Sequence, residues 1–203
     1  DPELKKEFLI IGAHLDHVGK QGDSLYFPGA NDNASGVASV LQIAKLLSEN
    51  KSKLKRSVVF ILFANEEQGL EGAWHYVRNP LLPIEQTVAM FNLDCVGHGD
   101  SIQIGNGNSS PELWKLCYAT DSLSDKLMVQ RTWAGGGADA TPFYDKNIPA
   151  LYFVTTKSYT HLHQYTDTPE TLNRELHQKI TTLAFRTAWQ VLTGSYSKEK
   201  VIR

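Results

Sequence analysis

Two rhythms of apolar positions alternate along the chain. Short, nearly unbroken apolar runs read as strands at residues 7–15 (EFLIIGAHL), 57–65 (SVVFILFAN), 87–96 (TVAMFNLDCV) and 148–154 (IPALYFV). The run at 57–65 is apolar throughout, which predicts a central strand covered on both faces. Two shorter pieces, 101–106 (SIQIGN) and 127–131 (LMVQR), read as further strands. Between these runs the apolar positions take helical spacing. In 33–50, Val37, Val40, Leu41, Ala44 and Leu47 make one buried face. Residues 70–79 predict a short helix stopped by Pro80. Residues 110–124 predict a helix with Ser110 as N-cap and Pro111 in its first turn. A short helix is expected over 139–147, and a C-terminal helix over 173–194, closed by Gly194. Alternating strands and helices predict an α/β fold: a single three-layer αβα sandwich around a mostly parallel, mixed central sheet.

Composition removes several function classes. The 203 residues suit one domain with a sizeable core. The formal charge of −2 gives no basic excess for nucleic acid or an anionic membrane surface. The longest apolar run, Val58 to Ala64, is far too short for a membrane span. Cys95 and Cys117 do not make a disulfide framework and read as buried thiols. Residues 1–10 do not read as a targeting segment.

The candidate chemistry follows the apolar strands. In α/β sheets, sites gather at the carboxyl ends of the strands. After the first strand come His14 and Asp16. Before the first long helix, GANDNASG carries Asp32. After 57–65 come Glu66 and Glu67, and at the end of the next strand comes Asp94. Past the last strand, HLHQYTDT carries His161, His163 and Asp167. Imidazole and carboxylate donors without thiolate suit zinc or another borderline divalent ion. Five such donors fit two zinc ions about 3.5–4 Å apart, with one carboxylate shared and a position left for water. One member of the Glu-Glu pair then stays off the metal, free to act as general base. Two other motifs carry less. GNGNSSP (105–111) lacks the spacing of a nucleotide loop and reads as a tight turn, and GGGAD (135–139) reads as a mobile loop near the site.

GAHLDHVG, GANDNASGV, FANEEQGLEG, NLDCVG, ADATPF, NIPAL and HQYTDTPETLN occur in this order over about residues 8–173. Together they resemble the zinc-dependent aminopeptidases of the bacterial leucyl aminopeptidase type. The resemblance implies two Zn2+ ions. His14 and Asp94 would hold one, Glu67 and His163 the other, and Asp32 would bridge them. Glu66 would be the general base, and Asp16 would orient the His14 imidazole by a hydrogen bond. His163 is taken over His161 because the family's last His stands four residues before its Asp-Thr pair, as His163 stands before Asp167. A cis peptide at Asp32–Asn33 is also implied.

The expected function is hydrolysis of N-terminal, apolar residues from peptides with a free N-terminus. Trp133, Phe143, Tyr144, Tyr159 and Tyr165 are expected around the side-chain pocket. Ala138-Asp139-Ala140 departs from the family's Ser-Asp-His, so no His is available there. The chain is expected to be one catalytic domain, 1–203, lacking a helix and strand that the family pattern places upstream. The resemblance implies a secreted or periplasmic protein. A single-zinc acyltransferase of the glutaminyl cyclase kind, a carboxypeptidase-like or dipeptidase member of the same clan, and a truncated non-catalytic domain are the alternatives.

Overall fold

Strands β1 (Phe8–His14), β4 (Ser57–Phe63), β5 (Thr87–Leu93), β6 (Ile102–Gly105) and β7 (Ala150–Thr155) form one sheet in the order β4-β1-β5-β7-β6. The first four in that order run parallel, and β6 lies antiparallel to β7 at one edge. This computed structural model describes all 203 residues. Strands β2 (Lys20–Gln21) and β3 (Leu25–Tyr26) make a small separate hairpin too short to leave a period in the sequence. The helices are α1 (Gly36–Glu49), α2 (Glu71–Arg78), α3 (Pro111–Ser122), α4 (Ala140–Asp145) and α5 (Arg174–Leu192).

Side chains alternate across a strand, so β1 feeds two cores. Leu9, Ile11 and Ala13 pack in the layer of α1, α3 and α5. Phe8 and Ile10 pack with residues of α2 and α4 on the opposite face. The result is the expected three-layer α/β sandwich. Burying each such aliphatic or aromatic side chain contributes about 1.5–3 kcal/mol.

Four local expectations differ from the structure. Strand β4 is an edge strand, with Val58 to Ile61 half-buried and Leu62 39 % exposed. Its apolar residues are explained by contacts on both faces: Val58 and Phe60 touch one core, Val59 and Ile61 the other. Apolarity along a strand reports its faces and is blind to whether a further strand lies alongside. In α1 the core row is Gly36, Val40, Ile43 and Leu47, and Leu41, one position off that row, is 59 % exposed. Residues 127–131 make only an isolated bridge, Met128 to Ile102. Ser110 occupies the N-cap of α3 but accepts no cap bond; the Glu199 carboxylate accepts from the backbone N–H groups of Glu112 and Leu113 instead.

Candidate metal centre

The carboxyl ends of β1, β4, β5 and β7 point to one side of the sheet. His14 is the last residue of β1 and Asp94 directly follows β5. Glu66 and Glu67 lie just past β4, and His163 lies on the segment after β7. Asp32 comes from an irregular turn, Ala30–Ser35, that leads into α1 and contains a cis peptide at Asp32–Asn33.

Side-chain hydrogen bonds stitch that turn to its neighbours. The Asp167 carboxylate, fully buried, accepts from the backbone N–H groups of Asn31 (2.8 Å) and Asp32 (3.0 Å). Asn33 donates to the Leu93 carbonyl and accepts from Gly36 N–H. Asn31 accepts from Gly97 N–H, and Ser35 accepts from Val96 N–H. These bonds tie the turn to the end of β5 and so bring Asp32 and Asp94 together. Gly36 is required here, because a Cβ would stand 2.2 Å from the Leu93 carbonyl oxygen.

The first donor cluster is His14, Asp32 and Asp94, all buried. His14 Nε2 is 3.2 Å from Asp32 Oδ1 and 3.4 Å from Asp94 Oδ1. Its Nδ1 lies 3.1 Å from the Asp16 carbonyl oxygen, which can only accept. The Nδ1 proton is thereby fixed, and Nε2 turns toward the two carboxylates. Without a cation, a proton must fill that gap. Burial pushes the imidazole pKa down, but Asp32 and Asp94 outweigh burial and raise it to about 11. Asp94 Oδ1 is buried with no hydrogen-bond partner, whereas Oδ2 accepts from Tyr152, whose hydroxyl also meets that of Tyr159.

The second cluster shares Asp32. Its Oδ2 lies 3.3 Å from His163 Nε2, and Glu67 Oε2 lies 2.9 Å from the same nitrogen. His17 joins them, with Nδ1 3.0 Å from Glu67 Oε1 and 3.6 Å from Asp32 Oδ2. Burial pushes the Asp32 carboxyl up, but His14, His17 and His163 outweigh it and hold the group low. Glu67 is raised, by burial first and then by the Asp32 charge, against the pull of the imidazoles. Asp32 thus gives one oxygen to each cluster.

Glu66 stands beside these groups without an ion-pair partner of its own. Burial raises its carboxyl to about 7; Asp94, Glu67 and Asp32 add to the rise and His14 opposes it. Asp139, at the start of α4, is fully buried, and neither carboxylate oxygen has a partner. Burial pushes it up to about 8, with Glu66, Asp94 and Asp16 adding and His14 opposing.

The model of peptidase family M28 matches residues 1–188. This chain belongs to peptidase family M28. It is 26 % identical over 252 aligned residues to a probable zinc metalloprotease of Pyrenophora tritici-repentis, covering 99 % of this chain and 56 % of that protein. Among solved structures, the aminopeptidase from Aneurinibacillus sp. strain AM-1 superposes with a TM-score of 0.80 at 27 % identity, over 98 % of this chain and 46 % of that one. The Porphyromonas gingivalis glutaminyl cyclase has the same fold, with a TM-score of 0.76 at 20 % identity over 92 % of this chain and 73 % of its own. The M28 chain spans about half the length of the first of these relatives and of the aminopeptidase.

Within this M28 chain, the structure brings His14, Asp32, Glu66, Glu67, Asp94 and His163 to one place. Asp16 is placed differently from expectation. Its carboxylate accepts from the backbone N–H groups of Glu66 (3.0 Å) and Glu67 (3.2 Å) and lies 3.9 Å from His14 Nδ1, so only its carbonyl reaches the ring. Strand alternation does not extend to Asp16, because β1 ends at His14. His161 turns away to Thr166 and packs edge-on against His98. Sequence reading missed His17, whose signal was a second imidazole in the HLDH stretch, and the positioning role of Asp167. Of the aromatics, Phe143 is fully buried in the core beside Phe63 and Tyr76, and Tyr144 lies under Arg203. The glycine loop is tied down, with Gly136 N–H donating to Asn106 and Gly137 N–H to Thr141. No helix is long and apolar enough to cross a membrane.

Proposed function

We propose that residues 1–203 form the catalytic domain of a metal-dependent aminopeptidase that takes two zinc ions. The observation that carries this reading is Asp32, which divides its oxygens between two donor clusters while Glu66 stays uncommitted beside them. The residues fit the ions. Buried Asp32 Oδ2 and Asp94 Oδ1 lack hydrogen-bond partners, and each faces an imidazole nitrogen. Donors around a tetrahedral zinc, each bound at ~2.0–2.2 Å, stand about 3.3–3.6 Å apart. Here the imidazole–carboxylate separations of His14 Nε2 and His163 Nε2 run from 2.9 to 3.4 Å. His14, Asp94 and Asp32 would hold one ion, and Glu67, His163 and Asp32 the other. When bound, the ions supply Lewis acidity, polarising the scissile carbonyl and making water nucleophilic near neutral pH.

The chain's own groups supply the rest. Glu66 takes a proton from the attacking water and returns it to the leaving amine, a transfer suited to a carboxyl raised to about 7. Asp16 holds the backbone at Glu66 and Glu67, which keeps the two carboxylates in different places. Trp133 and Tyr159 line a neighbouring cleft of about 490 Å³ that also carries Arg131 and Lys157. The two cations disfavour an N-terminal Lys or Arg there, and Trp133 and Tyr159 offer the aromatic surface for an apolar side chain.

Elemental analysis with an aminoacyl-anilide assay tests the reading. Two zinc ions per chain and cleavage of leucine anilide, abolished by an N-acetyl block, are the expected results. One ion per chain with cyclisation of an N-terminal Gln peptide and no hydrolysis would refute it in favour of the cyclase chemistry.

A further inference from the structure

We infer that His17 is a direct metal ligand, donating through Nδ1 beside Asp32 and Glu67. The inference rests on the two-ion reading and adds a ligand to it. His17 Nδ1 points at Glu67 Oε1 and Asp32 Oδ2 and has no other polar partner, while Nε2 is buried and unbonded. Its Nδ1 therefore approaches the same two carboxylates as His163 Nε2, and His17, Asp32 and Glu67 each offer a ligand atom within 4.8 Å of the others. The His17 side chain is 12 % exposed, against 46 % for His163, so it is the better sheltered imidazole of the pair.

The backbone holds the ring there. Gly29 has φ 66°, and a Cβ at that position would stand 2.8 Å from His17 Cγ and Cδ2. A side chain at residue 29 would push the imidazole off the carboxylates, so both conformation and space call for glycine.

The test is zinc affinity, measured by competition with a chromophoric chelator on the purified chain, for wild type, His17→Ala and His17→Asn. Asn keeps a donor for the hydrogen bond to Glu67 but is a poor zinc ligand. Losing a hydrogen bond that merely orients a ligand costs about 10–100-fold in metal affinity. Losing a ligand should weaken one of the two sites by more than roughly 100-fold in both variants, with the other site unchanged. Melting of the metal-free variants at the wild-type temperature shows that the fold is intact. Asn restoring wild-type affinity at both sites, or Ala leaving both unchanged, overturns the ligand role. A wild-type chain that takes up one ion refutes the two-ion reading separately, and His17 then stands or falls by whether that ion's affinity drops in both variants.

Discussion

One half of the candidate metal centre grows from strands and the other from loops. His14 ends β1 and Asp94 follows β5, two strands paired on both sides; His14 still pairs with Phe63, Asp94 N–H donates to the Phe153 carbonyl, and both side chains are buried. Glu67, His17 and His163 sit on connecting segments, and His163 is 46 % exposed with φ at 53°. The strand half owes its geometry to the fold. The loop half owes much of its geometry to its own donors meeting one another, so an ion bound there would stabilise structure as well as fill a site. Asp32 belongs to both halves.

The sharpest way to break this contrast is to remove what the halves share. Asp32→Ala should lose both ions and more than roughly 10⁴-fold of activity, read by elemental analysis and anilide hydrolysis. Retention of one ion at full affinity would show that the halves are independent. Next come the adjacent glutamates. Glu66→Gln should keep both ions and lose about 10²–10⁴-fold in kcat, whereas Glu67→Ala should lose only the loop-side ion. Matching zinc content and activity in the two variants would defeat that division.

A smaller effect tests how the halves are joined. Asp167→Ala removes two charge-assisted hydrogen bonds to the turn that carries Asp32. Each such bond contributes about 1.5–3 kcal/mol, so roughly 3 kcal/mol of stability should disappear, visible as a shifted urea midpoint. Zinc affinity should fall at both positions together. A drop at one alone would place Asp32 under separate control on each side.

Asp139 gives the smallest change and concerns the strand half. Its carboxyl is raised to about 8, above its ordinary 3.8. Between those values the unfolded chain has released a proton that the folded chain retains, so stability falls as pH rises through that window. Asp139→Asn removes the ionisation. In metal-free protein it should raise Tm by at least ~2–4 °C at about pH 7.5 and by almost nothing at about pH 4. Equal gains at both pH values would mean that packing, not charge, is the cause.

The same contrast explains what was legible in the sequence. His14 and Asp94 stand out because a polar residue ending a buried apolar strand needs a partner. Asp32, Glu67 and His163 needed the family pattern, since an acidic residue before a helix or a His on a loop has ordinary roles. His17 had neither support: it lies past the strand end, where alternation no longer says which way a side chain points. The role of Asp16 was misjudged for the same reason. The three-layer fold was readable from the alternation of strands and helices, but β4 as an edge strand was not, because apolar content carries no record of missing neighbours. The Glu199 cap on α3 was hidden by distance, 87 residues along the chain from Glu112.

The gap between His14, Asp32 and Asp94 has one more consequence. In the metal-free chain a proton serves as the placeholder, since His14 keeps it up to about pH 11. Loading would therefore be an exchange, an ion entering as a proton leaves for the buffer. Uptake at this position should tighten steadily as pH rises, and its calorimetric heat should change with the ionisation enthalpy of the buffer. Acid would then empty the strand half by competition, with the stitched turn and the sheet still in place to receive the ion again.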